Sequence, residues 1–150
     1  MAFIARVLCA WYCGLSTLRT LTFPYKRYRS GIAPIIPIKV FAKRRWQKVW
    51  AYVDSGAAVS ILTVAEAKRL GLLKIKARKV AITTSGGRTN RISLHRLWVK
   101  LDKGRFSITF GVPRGFDIGF NLLGRRDLFQ RYSICFNEPK GVVSFTQNAD

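Results

Sequence analysis

The segment Val53-Asp54-Ser55-Gly56-Ala57 places a carboxylate between two apolar runs, and it constrains the fold more than any other part of the chain. Both flanking runs, residues 48–52 and 58–62, have the composition of β-strands. A carboxylate in such a framework is unfavourable by several kcal/mol unless it is hydrogen-bonded or shares a proton. Ser55 and the amide of Gly56 are the candidate hydrogen-bond donors, and glycine allows backbone geometry that other residues do not.

Composition predicts one folded and strongly basic domain. Hydrophobic residues make up 49% of the 150 residues, enough for a core. There are 27 lysines and arginines against 7 acids, a formal charge of +20. Residues 1–30 hold five of these bases and no acid, so the remainder keeps 22 bases, 7 acids and a charge of +15. Such a charge favours anionic partners, namely nucleic acid, anionic membranes or acidic protein segments, although a solvated surface explains it equally well.

The cysteines and the single histidine argue against a disulfide framework and a metal site. Cys9, Cys13 and Cys135 form an odd, scattered set, which favours a reducing, cytoplasmic compartment. His95 stands alone in an alternating strand pattern, so we expect neither a metal ligand nor a catalytic base there. The sequence therefore predicts no metal and no cofactor.

Residues 1–31 are expected to form a basic and apolar extension before a domain at residues 32–150. The apolar run at residues 7–18 is too short to span a bilayer. Arg6 before this run gives it a signal-peptide character, but no clear cleavage site follows. Three interpretations of this segment remain open: a weak targeting signal, an amphipathic extension, and an upstream start that adds residues without a structural role. The last two together are favoured. Residues 23–31 predict a basic linker.

Hydrophobic periodicity within the domain predicts mostly strands, with one clear helix. Thr63 and Glu66 have the spacing of a capping box, and Gly71 ends the helix that they begin. A second, short helix is expected at residues 125–129. The predicted strands are residues 35–41, 46–53, 72–82, 90–101, 105–112, 132–136 and 142–145, with a glycine-tipped hairpin at residues 83–89.

Two motifs together carry a resemblance to a known family. Asp54-Ser55-Gly56-Ala57 follows a strand, and Leu122-Leu123-Gly124-Arg125-Arg126-Asp127-Leu128 comes later in the chain. This pair, with a helix and a glycine-tipped hairpin between its members, resembles the retropepsin-like (retroviral-type) aspartic proteases. The resemblance covers residues 32–146. Asp-Ser-Gly alone is a weak signal, and the pair in this order is much more specific.

The resemblance implies an all-β fold, a small closed barrel with one or two short helices that is active as a two-fold homodimer. Peptide hydrolysis by carboxylates needs two of them sharing one proton, as is established for aspartic proteases. Because the chain has one Asp-Ser-Gly motif, Asp54 of each subunit would meet at the two-fold axis. The other implied roles are support of the catalytic loop by Ser55, Gly56 and Ala57, a flap at Ser85, Gly86 and Gly87, packing beneath the loop by Leu122, Leu123 and Gly124, and a late Gly-Arg motif with Arg125 and Asp127.

The chain departs from the viral pattern at Ala58, where viral members often carry an acid that pairs with the late arginine. Arg125 must therefore find another partner, and Asp127 and a carbonyl are the candidates.

Two alternative functions remain open. The first is a module of the same fold that binds nucleic acid or an acidic partner, since Trp46, Trp50 and Trp98 alternate with bases. The second is a structural dimer without activity, against which the intact Asp54 motif argues. Neither alternative requires a transmembrane span.

Overall fold

The computed structural model describes residues 19–83 and 86–148. Predictions about residues 1–18 and about Ser85 fall outside these ranges. The structure is predominantly β, as predicted. Its strands are β1 (Thr20–Pro24), β2 (Lys26–Tyr28), β3 (Gly31–Ala33), β4 (Ile35–Ala42), β5 (Arg45–Val53), β6 (Ser60–Ile61), β7 (Arg78–Thr83), β8 (Thr89–Leu101), β9 (Gly104–Arg114), β10 (Leu122–Leu123), β11 (Tyr132–Asn137) and β12 (Val142–Gln147).

Six strands close into a barrel in the order β4-β5-β10-β6-β9-β8. Closure comes from antiparallel pairing of β4 with β8, at Lys39 with Lys100 and Val40 with Val99. β7 continues the sheet beyond β8 as one arm of a hairpin. Strand residues alternate between core and surface, so the apolar positions of β4, β5, β8 and β9 fill one core. The predicted closed β barrel is confirmed.

Among the described residues one α-helix forms, α1 (Val64–Leu70), and it has the predicted caps. The Thr63 side chain accepts a hydrogen bond from the Glu66 amide at 3.1 Å. Gly71 ends the helix with φ of +80°, a left-handed conformation that favours glycine. Ala67 and Leu70 are buried against the barrel. Within the described ranges, no helix has the length and apolar character needed to cross a membrane.

The segment that the sequence predicts to be a linker is instead folded, so the prediction for residues 23–31 is wrong. β1 pairs with β12, which in turn pairs with β11 in a three-stranded sheet, and β2 and β3 form a separate hairpin. Leu21 and Phe23 alternate with exposed residues and pack on the core, which fixes β1 in place. Sequence reasoning missed this β-alternation, which spans only the five residues of β1. The division of the chain between residues 31 and 32 stays a prediction.

Two further local predictions differ from the structure. Residues 125–129 form turns rather than a helix, because Asp127 has φ of +68°, outside the helical region. The strand expected at residues 72–82 begins later. A 3₁₀ turn occupies Leu72–Lys74, and β7 starts at Arg78.

Candidate active site

Asp54 follows directly after β5, in a loop held at both ends by backbone hydrogen bonds. Its amide donates to the Leu123 carbonyl at 3.0 Å, and its own carbonyl accepts from the Ala57 amide at 3.3 Å. The half-buried carboxylate accepts a hydrogen bond at Oδ1 from the Gly56 amide at 2.8 Å. Of the two predicted donors, Gly56 therefore contacts the carboxylate, whereas Ser55 is exposed. The loop turns the carboxylate back onto its own backbone and fixes its direction.

Gly124 lies where a side chain would collide with the loop backbone, and Gly56 lies where a side chain would crowd the Asp54 carboxylate. A Cβ at Gly56 would lie 3.2 Å from Asp54 Oδ1, and one at Gly124 would lie 2.5 Å from the Val59 carbonyl carbon and oxygen. A Cβ at Gly124 would also lie 2.8 Å from the Ala57 carbonyl oxygen. The close approach of the two backbones explains why glycine occupies position 124, whereas a side chain at position 56 would crowd the Asp54 carboxylate.

The Leu-Leu-Gly segment lies beneath the Asp54 loop, where the sequence predicts it. Leu122 and Leu123 pair in parallel with the end of β5, and Leu123 is fully buried. After Gly124, the amide of Arg125 donates to the Ala57 carbonyl at 2.9 Å and that of Arg126 to the Ala58 carbonyl at 3.0 Å. The structure thus brings together the two motifs that are far apart in sequence.

Two buried polar residues that sequence reasoning missed secure this junction. Ser60, which is fully buried, accepts a hydrogen bond from the Gly124 amide at 3.0 Å. The Asn121 side chain donates to the Trp50 carbonyl and accepts from the Thr63 amide, both at 2.9 Å. Asn121 directly precedes Leu122, and that adjacency is the only sequence signal that points to it. Ser60 lies in an apolar run and gives no signal.

Arg125 does not pair with Asp127, so that candidate pairing is wrong. The Asp127 carboxylate accepts a hydrogen bond from the Thr109 amide of β9 at 2.8 Å. The Arg125 side chain is exposed, and it forms no ion pair with any residue in the described ranges. Viral members often carry an acid at the position of Ala58 that pairs with the late arginine. Within the described part of one chain, no other acid takes over that pairing with Arg125.

The predicted flap corresponds to the hairpin of β7 and β8, whose last pair is Thr83 with Thr89. Gly86 and Gly87 lie at its tip, and Gly87 has φ of +72°. A Cβ at either glycine would meet no atom within 4 Å. The described part of the tip therefore has open space at the Cβ positions of both glycines, and its role as a flap stays a prediction.

A cleft of about 400 Å³ opens beside Asp54. It is lined by Tyr28, Arg29, Tyr52, Asp54, Ile118, Gly119, Phe120 and Leu122. Sequence reasoning missed Tyr28 and Arg29 because residues 23–31 were expected to be a linker. Asp54 is the only carboxylate in the lining.

The other carboxylates of the described residues are engaged elsewhere. They comprise Asp102 paired with Arg19, Glu66 paired with Arg69, Asp117 bonded to the amides of Val64 and Ile118, Asp127 bonded to Thr109, and Glu138 bonded to the Tyr25 hydroxyl. One described chain thus supplies a single carboxylate to the cleft.

His95 lies outside the cleft lining, in β8. It is buried, with Nε2 at 3.2 Å from the Ser93 hydroxyl. Burial, and secondarily the charge of Arg114, lower the pKa of His95. This environment favours the neutral imidazole.

A closed barrel in which an Asp-Ser-Gly loop rests on a Leu-Leu-Gly strand defines a retropepsin-like fold. The model of the aspartyl protease family matches residues 35–137, and the chain belongs to that family. Among solved structures, a retropepsin-like aspartic protease from Rickettsia conorii aligns with a TM-score of 0.58 and 24% identity, over 91% of this chain and 99% of that one.

A second similar structure is EIAV protease in complex with the inhibitor HBY-793, with a TM-score of 0.49 and 23% identity. The alignment covers 70% of this chain and 93% of that one. No curated protein matches the chain.

Proposed function

We propose that the protein is a homodimeric aspartic endopeptidase whose catalytic pair consists of Asp54 from each subunit. The observation that carries the proposal is the single oriented carboxylate in the cleft, on the fold and in the family of aspartyl proteases. Two carboxylates are needed to activate water and protonate the substrate at the same time. Since the remaining described carboxylates are engaged elsewhere, a second copy is the natural source of the partner.

In the proposed mechanism, a water molecule lies between the two carboxyl groups, which share one proton. The ionised carboxylate takes a proton from this water, and the resulting hydroxide oxygen bonds to the carbonyl carbon of the scissile peptide. The protonated carboxyl donates its proton to the carbonyl oxygen. When the tetrahedral intermediate collapses, the C–N bond breaks, the amine nitrogen leaves with a proton from one carboxyl of the dyad, and a hydroxyl of the intermediate returns its proton to the other carboxylate, so that the pair again shares one proton. No cofactor or metal takes part in these steps.

The loop geometry supports this role for Asp54. Its Oδ1 is held by the Gly56 amide, which leaves Oδ2 for the water and the partner carboxyl. In this proposal Ser55 braces the facing loop of the partner subunit. The Gly56 carbonyl and the tip with Gly86 and Gly87 bind the peptide backbone, and closing of the tip excludes water.

The alternative of a nucleic-acid-binding module has less support. The chain's own cations already face two of the indoles, because Lys26 lies 3.4 Å from the ring centroid of Trp50 and Lys100 lies 4.4 Å from that of Trp46. A cytoplasmic location, which the scattered cysteines favour, belongs to the proposal as well.

The test is cleavage of a peptide library by the wild type and by Asp54→Asn. We expect Asp54→Asn to remove cleavage and leave a folded dimer, and a transition-state-mimicking inhibitor to block the wild type. Asp102→Asn is the matched control, because Asp102 pairs with Arg19 outside the cleft and asparagine tolerates its φ of +50°. Cleavage by Asp54→Asn at the wild-type rate would refute the proposal.

A further inference from the structure

The hairpin of β2 and β3 forms one wall of the cleft, although it precedes the residues that match the family model. The match begins at residue 35, whereas Tyr28 and Arg29 line the cleft beside Asp54. This wall is therefore an addition to the part of the fold that the family model describes. A cleft wall that lies outside the common core and contacts the substrate is well placed to determine which substrates bind.

Contacts on the barrel-facing side hold the hairpin in place. The Tyr28 ring packs edge-on against Phe120 at 5.2 Å and against Tyr52 at 6.4 Å between centroids. Lys26, two residues earlier on the same face of β2, lies over the Trp50 ring. At the base, the Tyr25 amide donates to the Gly141 carbonyl at 2.7 Å. The tip of the hairpin thus has a defined position over the cleft.

Arg29 stands at this tip, in a turn with φ of +53°. Its guanidinium carbon lies 5.3 Å from the centroid of the Tyr28 ring. Its Nη2 would lie 3.6 Å from a Cβ at Gly119, an ordinary van der Waals distance, so the guanidinium lies beside Gly119 in the cleft lining. Arg29 is the only cation in the cleft lining, and no ion pair within the described residues involves it.

We propose that Arg29 forms a subsite that binds the carboxylate side chain of an aspartate or glutamate in the substrate, near the scissile bond. The inference rests on the proposed peptidase function and names its substrate class. A guanidinium binds a carboxylate through two parallel hydrogen bonds, which a neutral amide cannot reproduce. The ring of Tyr28 supports one side of the guanidinium, and Phe120 offers an apolar surface to the stem of the bound side chain.

The overall charge of the protein acts in the same direction. A formal charge of +20 attracts acidic peptides over long range, and Arg29 then fixes one acid at a defined distance from Asp54. Charge-assisted hydrogen bonds of this type correspond to about 10-fold to 100-fold discrimination between an acid and its amide.

The test uses pairs of peptides that differ only by glutamate or glutamine, with the pair scanned through the positions around the cleavage site. We expect the wild type to prefer glutamate by about 10-fold or more in kcat/KM at one position. Arg29→Ala should lose this preference and retain cleavage of the glutamine peptide. Arg29→Glu should favour lysine at the same position.

Arg27→Ala is the matched control, since Arg27 lies on the same hairpin, one residue from Tyr28 and on the opposite face of β2. It should keep the wild-type preference. Wild-type protein without a glutamate preference at any position, or Arg29→Ala with the preference unchanged, would overturn the subsite.

A binding measurement separates this inference from the proposed function. Peptides with a non-cleavable hydroxyethylene in place of the scissile bond, again as a glutamate and glutamine pair, are titrated onto Asp54→Asn and onto Asp54→Asn with Arg29→Ala. If the wild type cleaves nothing but the binding preference depends on Arg29, the peptidase proposal fails and the subsite stands. If the wild type cleaves and neither assay depends on Arg29, the subsite fails and the peptidase proposal stands.

Discussion

Gly124→Ala tests whether the Leu-Leu-Gly strand lies as close beneath the catalytic loop as the structure shows. The new Cβ would lie 2.5 Å from the Val59 carbonyl, where ordinary contacts begin near 3.4 Å, so the backbones must separate by about 0.9 Å. Such a shift breaks the 2.9 Å hydrogen bond from the Arg125 amide to the Ala57 carbonyl. Overpacking destabilises a fold by about 1–3 kcal/mol, and a lost hydrogen bond adds about 1 kcal/mol.

We therefore expect Gly124→Ala to lower the free energy of unfolding by about 3 kcal/mol, which corresponds to a Tm lower by about 10 °C for a chain of this size. Thermal and denaturant unfolding measure both values. Gly31→Ala is the control, because a Cβ there meets no atom within 4 Å, and its stability should change by less than about 0.5 kcal/mol. If both variants melted within a few degrees of the wild type, the described packing of the loop would be refuted.

Three further predictions concern the supports of the barrel and site. Ser60→Ala leaves the buried Gly124 amide without its acceptor and should reduce stability by about 1–3 kcal/mol in denaturant unfolding, where Ser60→Thr, which keeps a hydroxyl, gives the comparison. Thr63→Ala removes the cap of α1 and should cost about 1 kcal/mol; a loss indistinguishable from zero would contradict the capping geometry. Burial lowers the pKa of His95 in the folded protein, so on acidification the unfolded chain takes up a proton at this histidine at a higher pH than the folded chain does. The free energy of unfolding should therefore fall as the pH drops below about 6.5 towards the folded-state pKa. In His95→Gln, unfolding curves at about pH 7.5 and pH 5 should show a smaller fall than in the wild type, and an equal fall would assign the pH dependence to other groups.

Local chemistry explains which features were predictable from the sequence. The caps of α1 depend on neighbouring residues, so Thr63 and Gly71 identify both of its ends. The Asp54 motif is short and weak on its own, but the pair that it forms with the Leu122 motif, in this order, indicates the family and the closed barrel.

The features that the sequence does not reveal depend on contacts between distant parts of the chain. β1 is fixed by its pairing with β12, more than a hundred residues away. The helix expected at residues 125–129 is replaced by turns because Asp127 bonds to β9 with a positive φ. Arg29 joins the cleft only because Tyr28 docks its hairpin on the barrel. In each case tertiary contacts override the local sequence pattern.

The most direct test of the central claim is the activity of a heterodimer with one wild-type subunit and one Asp54→Asn subunit. Two tags on co-expressed chains allow its isolation, and a heterodimer of two wild-type subunits with the same tags is the control. Since both carboxylates take part in each proton transfer, we predict that the mixed dimer cleaves peptides at least about 100-fold more slowly than the control. A mixed dimer with half of the control activity or more would contradict the shared site, because each Asp54 would then act without its counterpart.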